Sequence, residues 1–236
     1  MNKILNYGLS TIIALTMSGN VFSQTNKELK KDEKRLLEFL EKHPSNIDST
    51  KKLADIQFKL DNIDDATYTY EKILRFDSTD THAMFNLAKC YIYGEHEEEL
   101  KKAENIITKI IFSKKYDKEL LTKLYLNRAE VRSLLSSKPN DEYSGKRSYD
   151  LIMASKLDSL NPNIFYELGI YYDDNGFYES ALESFAKAVN LEEQIAKQEN
   201  RNMNTIYIRE FTKTKNNYKL FGRVSDANKF NVISKK

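Results

Sequence analysis

Few residues in this chain have the types and spacing that chemistry requires. Three histidines, His43, His82 and His96, and one cysteine, Cys90, are the candidates for metal ligation, proton transfer or nucleophilic attack. A helical zinc site needs two histidines four residues apart, and a finger-type site needs paired Cys and His at short spacing. Neither pattern occurs. A phosphate-cradling glycine loop and a nucleophile elbow are also absent. Cys90 cannot form an intrachain disulfide and reads as a small apolar residue on a helical stretch. Two acidic segments, GEHEEEL at 94–100 and DDNG at 173–176, resemble pieces of cation sites. Both lack the ligand order of a calcium loop. The first reads as a solvated loop balanced by Lys101 and Lys102, the second as a helix-ending corner in which Gly176 takes a positive φ. The expectation is no metal, no cofactor and no catalytic residue: the chain is not read as an enzyme.

The elements around these residues are helical. In ADIQFKLDNIDDATYTYEKIL, at 54–74, apolar residues recur every three and four positions rather than alternating. Only seven Gly and three Pro in 236 residues argue against a turn-rich β fold. An apolar share of 40% with 31% charged residues suits one domain or a short repeat array with a modest core. The class is all-α.

A spacing recurs along the chain. FYELGIYYDDNGFYESALESFAKAV, at 165–189, contains Phe165, Leu168, Gly169, Tyr172, Gly176, Ala181, Phe185 and Ala188. This resembles the tetratricopeptide repeat, a 34-residue helix–turn–helix unit, with Phe165 in place of the usual Trp and no closing Pro. The frame fits 47–80 through Leu53, Ala54, Phe58, Ala66, Tyr70 and Ile73. It fits 81–117 through Met84, Leu87, Ala88 and Tyr91, then Ala103, Ile107 and Ile110 after about three extra residues in the acidic corner. A weaker unit spans 122–161, with Tyr125, Ala129 and Val131 in its first helix and SSKPNDEYSG, at 136–145, as a long loop. The fourth unit is 162–195. Residues 24–46 read as an N-terminal helix from a partial repeat. Residues 196–236, with Phe211, Tyr218, Gly222, Val224 and Ala227, read as a degenerate repeat or capping helix with a basic tail. The resemblance implies a right-handed α–α superhelix, a solenoid of antiparallel helix pairs. Two such helices approach closely only where small residues face the seam. Gly169 with Ala181, and Ala54 with Ala66, are expected to make that room, and Tyr172, Phe185, Phe58 and Tyr70 to fill it.

The resemblance also implies a binding face. In this family certain first-helix positions line a concave groove. Here they yield Lys51, Asp55 and Phe58, then Phe85, Asn86, Lys89, Ile92 and Tyr93, and finally Tyr166 and Ile170. Lys52, Lys59, His82, Glu167, Asp173 and Asp174 share those positions. The second unit offers an apolar patch flanked by a cation, suited to a peptide. Some family members clamp a peptide's terminal carboxylate, and the matching positions are Lys51, Asp55, Asn86, Lys123 and Asn127. Asp55 would repel a carboxylate and Asn127 lacks the charge, so the match is incomplete.

The ends of the chain bear on location. Lys3 precedes an apolar stretch at 4–17, and Val21 and Ser23 stand at the −3 and −1 positions of a cleavage site before Gln24, so 1–23 reads as a signal peptide. The alternative is an uncleaved anchor, although Asn6, Gly8 and Ser10 interrupt a segment already short for a span. No cysteine stands near the cleavage region, so a lipoprotein is not expected. The chain reads as exported, to the periplasm or beyond. Its net charge of +2 gives no reason to expect nucleic-acid binding. From 201 to 236, nine Lys or Arg against Glu210 and Asp226 leave a net of +7, a basic end that suits an anionic surface. The functional expectation is a non-catalytic interaction scaffold or adaptor of the bacterial cell envelope, holding a protein or peptide on the concave face. The alternative is an immunity- or inhibitor-type protein that occludes a single toxin or enzyme.

Overall fold

The structure is a computed structural model that describes residues 19–113 and 116–220, with side chains over 25–113 and 116–217. Among the described residues there are ten α-helices and no strand. The apolar stretch at 4–17 and the tail positions Gly222, Val224 and Ala227 lie outside them, as does the side chain of Tyr218. No helix of the described residues is long and apolar enough to cross a membrane. The helices form two compact units, one ending at Tyr93 and the other starting at Gly94.

The first unit holds α1 (Gly19–Lys42), α2 (Ile47–Lys59), α3 (Ile63–Phe76) and α4 (Thr81–Gly94). Helix α1 stops two residues before Pro44, which has no N–H to continue it. Asn46 then caps α2 by accepting the Ser49 amide at 2.9 Å. Helix α2 closes through amide bonds from Asn62 to the Gln57 carbonyl and from Asp61 to the Phe58 carbonyl. Asp61 takes φ 66°, a place glycine usually fills. Helix α2 packs on both α1 and α3. Leu53 and Ala54 of α2 and Ala66, Tyr70 and Ile73 of α3 are buried. The buried Thr69 hydroxyl donates to Gln57 Oε1 at 2.8 Å, so that seam keeps its polar groups satisfied.

The second unit holds α5 (Glu97–Ser113), α6 (Lys118–Leu135), α7 (Glu142–Leu157), α8 (Pro162–Asp174), α9 (Tyr178–Gln198) and α10 (Ile206–Leu220). The long loop expected at 136–145 is shorter than its sequence suggested. Asp141 accepts the Ser144 and Ser137 amides and the Ser136 hydroxyl, and α7 starts at once behind it. Those bonds, the Ser144 amide first, hold the Asp141 carboxyl down at about 2. Asn161 caps α8, with Pro162 in the first turn. The DDNG corner is a two-bond helix stop: the Phe177 amide reaches back to the Tyr172 carbonyl at 2.8 Å and the Gly176 amide to Asp173 at 3.1 Å. Gly176 has φ 77°, the conformation this closure requires.

The α8–α9 seam corrects one detail of the sequence reading. A Cβ on Gly169 would lie 2.5 Å from Cδ1 and Cε1 of Phe185, so the glycine makes the room that this expected ring fills. Phe185 is fully buried and fills the seam. Tyr172 is only half-buried and stands at the corner, edge-on to Tyr171 and Phe177.

Candidate partner-binding surfaces

In the first unit, three helices bring polar and aromatic side chains into one connected surface. Asp55 of α2 accepts the Tyr70 hydroxyl of α3 at 2.6 Å, and the same Oδ1 lies 3.4 Å from His82 Nε2 of α4. His82 Nε2 is 3.1 Å from Asn86 Nδ2, and Lys89 donates to Asn86 Oδ1 at 3.5 Å. The Lys89 ammonium lies 5.1 Å from the ring centre of Phe85 and 5.6 Å from that of Phe58, within cation–π range of both. Burial, with the bond to Asp55, pushes the Tyr70 phenol far up, so it stays a proton donor to that carboxylate. Beyond this chain of contacts, Ile92 is half-buried and Tyr93 is exposed. A hydrogen bond to Asp61 raises the Tyr93 phenol. Asp55, Phe58, Phe85, Asn86, Lys89, Ile92 and Tyr93 thus all keep some accessible surface in this unit.

Lys51 has a different task. It pairs with Asp80, whose other carboxylate oxygen accepts the Ala83 amide and begins α4. Burial opposes the charge on Asp80, yet Lys51 and the Ala83 amide hold its carboxyl below the ordinary range. The Asp80 bond in turn raises Lys51. A carboxylate clamp built on Lys51 would have to take it from that cap. Lys123 in the second unit is likewise engaged, with Glu119 at 2.6 Å.

The second unit places the remaining candidates less favourably. Tyr166 is 1% exposed and packs between Phe185 and Tyr207, with ring centres 5.9 and 5.5 Å away. Its ring belongs to the core and offers no face to a partner, a correction to the sequence expectation. Family position alone does not reveal that α10 covers it. Ile170 is half-buried. Nearby, Glu167 pairs with Arg147 at 3.1 Å. Burial pushes the Glu130 carboxyl up to about 7, with the charges of Glu167 and Glu95 adding to the effect.

That shift has a measurable consequence. A folded-state value above the ordinary 4.5 means that folded Glu130 keeps a proton which the unfolded chain releases as pH rises from about 4.5 to 7. Stability at this site is full below that window and falls across it, by at most about 3 kcal/mol. Glu130→Gln is therefore expected to melt higher than the parent at pH 7.5 and with the parent near pH 5. Thermal melts by circular dichroism at the two pH values check this, and equal differences at both would count against it.

The sequence reading missed the most elaborate polar group. Asp150 of α7, fully buried, accepts Arg128 Nη2 at 2.7 Å and Arg132 Nη1 at 2.7 Å, both from α6. Arg132 also binds Glu104 of α5 at 2.8 Å, and Arg128 binds Thr108 at 3.0 Å. Burial pushes the Asp150 carboxyl up and the two guanidinium groups pull it back. The net effect is a carboxyl raised above its ordinary value. The network ties α5, α6 and α7 together and offers no open ligand position. The one sequence signal was two arginines four apart on a helix otherwise full of core positions. Cys90 is buried, and burial raises its thiol to about 11, so little thiolate forms at neutral pH. Among the described residues no group of three or more His, Cys, Asp or Glu is arranged to hold a metal ion.

No protein-family model matches this sequence, and no curated protein matches it. Solved structures do. MamA from Desulfovibrio magneticus RS-1 superposes with a TM-score of 0.59 at 14% identity, over 74% of this chain and 95% of that one. YrrB, described as a TPR protein with an unusual peptide-binding site, gives 0.58 at 16% identity, over 83% and 88%. A tetratricopeptide repeat protein from Parabacteroides merdae gives 0.57 at 16% identity, over 86% and 76%. At these identities the likeness is one of fold.

Proposed function

From a chain with the tetratricopeptide-repeat solenoid fold, we propose a non-catalytic protein–protein interaction scaffold or adaptor that holds a partner segment on the α2–α4 face of its first unit. The observation that carries this reading is the connected surface from Asp55 through His82 and Asn86 to Lys89, with Phe58 and Phe85 under the ammonium group. Such a surface offers apolar contact beside polar groups of both signs, the mixture that anchors a peptide while fixing its register. The peptide-binding site described for YrrB supports the reading by analogy of fold. We place the protein in the bacterial cell envelope, exported through the segment at 1–23, with its basic end against an anionic surface.

Crosslinking and pull-down from the cell that makes the chain provides the test. Phe85→Ala and Lys89→Glu alter half-buried side chains beside the surface, so each is expected to reduce recovered partner tenfold or more while leaving the circular dichroism spectrum intact. That corresponds to about 1.4 kcal/mol, the range of an interface anchor. Unchanged recovery with both variants overturns the placement on this face. Recovery of the chain from the cytosolic fraction overturns the export reading.

A further inference from the structure

We propose that a recess between α1 and α2 is a second docking point, which takes an acidic peptide segment carrying one large apolar side chain. This rests on the interaction-scaffold reading above and adds the chemistry of the partner. The recess has a volume of about 400 Å³, room for one or two side chains, and its apolar lining comes from Leu36 of α1 and Ile56 of α2. Lys52, Asp55, Ile56 and Lys59 line its α2 side, a stripe at i, i+3, i+4 and i+7 on one helix face. The two lysines are two turns apart, roughly 10 Å along the helix axis, with Ile56 between them along α2.

The charges around the recess are unevenly engaged. Asp32 is bonded to Arg35 at 3.4 Å. Asp55 accepts the Tyr70 hydroxyl and faces His82. Lys52 and Lys59 are exposed and, among the described residues, have no carboxylate within ion-pair distance. Both acids are thus answered from within the unit, and the two α2 cations are not. The complement is a segment whose apolar side chain enters between Leu36 and Ile56 while carboxylates on either side reach Lys52 and Lys59. In an extended segment, roughly three residues span the distance between the lysines. A basic segment would meet two unanswered ammonium groups and is rejected.

The test uses the full chain, isotopically labelled, titrated with synthetic peptides by NMR. The probes are an acetylated nonapeptide with a central Leu flanked by Asp and Glu, its counterpart with Lys in place of every acid, and its counterpart with Gly in place of Leu. The acidic Leu peptide is expected to shift the amides of Leu36, Lys52 and Ile56 saturably. Lys52→Glu with Lys59→Glu should weaken its binding at least tenfold, and the Gly peptide should bind at least threefold more weakly than the Leu peptide. Phe85→Ala should leave this titration unchanged. No shift at Leu36 and Ile56, or equal binding of the Lys peptide, overturns the proposal. If the peptide fails while partner recovery from cells still depends on Phe85, the recess is excluded and the scaffold reading stands. If both fail, the scaffold reading falls as well.

Discussion

Asp150→Ala is expected to lower the stability of the second unit by about 3–5 kcal/mol, the range for breaking a buried ion pair from one side. The carboxylate is fully buried, and Arg128 is 3% exposed. Removing it leaves the Arg128 guanidinium with one bond, to Thr108, and Arg132 with Glu104 and the Lys146 carbonyl. Two positive groups that shared one acid would then face each other in a buried site without it. Neither can neutralise itself, because a guanidinium keeps its proton at any accessible pH. Asp150→Asn keeps the shape but not the charge, and should fall between parent and Ala. Urea unfolding followed by far-ultraviolet circular dichroism measures the loss as a shift in midpoint at constant slope. A loss under about 1 kcal/mol would mean that the network behaves as a surface pair. Replacing the three residues together by apolar side chains of similar volume should be far less damaging than removing Asp150 alone. The network is a matching condition between helices more than a source of net stability.

Gly169→Ala is expected to destabilise by about 1–3 kcal/mol through overpacking, although alanine in a helix interior ordinarily gains about 1 kcal/mol over glycine. The two effects oppose, and distance decides between them. The added methyl would sit 2.5 Å from two atoms of the Phe185 ring and 2.8 Å from a third. The ring is fully buried, packed against Tyr166 and unable to swing to solvent. A double-mutant cycle separates this mechanism from a general loss. Phe185→Leu alone costs packing, but in its presence the methyl group added by Gly169→Ala finds space. The pair should therefore be less damaging than the sum of the singles by about 1 kcal/mol or more. Strict additivity would show that the glycine is there for some reason other than the ring.

Both variants concern residues whose importance was unequally legible. Gly169 stands out in the sequence because it follows Leu168 at a repeating spacing, and its role as a gap is readable there. Which of the two expected fillers enters that gap is not. Of the two, Phe185 of α9 occupies the space, while Tyr172 stands half-buried at the corner. The repeat spacing says which faces meet but not which side chain on the facing helix leans into which gap. Asp150, Arg128 and Arg132 are legible only as charged residues on amphipathic stretches. Their pairing joins positions 22 and 18 residues apart, and the angle between α6 and α7 sets it. The same limit explains Tyr166: the position implies a groove, and the ring of Tyr207 that covers it comes from a helix distant in sequence, held in place by its hydroxyl bond to Asn163.

The helical class and several of the corners can be read from the sequence. Apolar periods of three and four define the helices, Asn46, Asp117, Asp141 and Asn161 begin four of them, and Gly176 ends one. These depend on residues close along the chain, where bond geometry leaves few alternatives. Which candidate residues face outward, and which charges are answered, emerges only from how the helices pack. Asp55 joins Tyr70 and His82, Lys51 is drawn to Asp80, and Lys52 and Lys59 are left beside an apolar recess. The physical reason is that exposure and ion pairing are properties of distance between helices. A periodic sequence specifies the face of each helix and leaves that distance to the packing of the side chains between them.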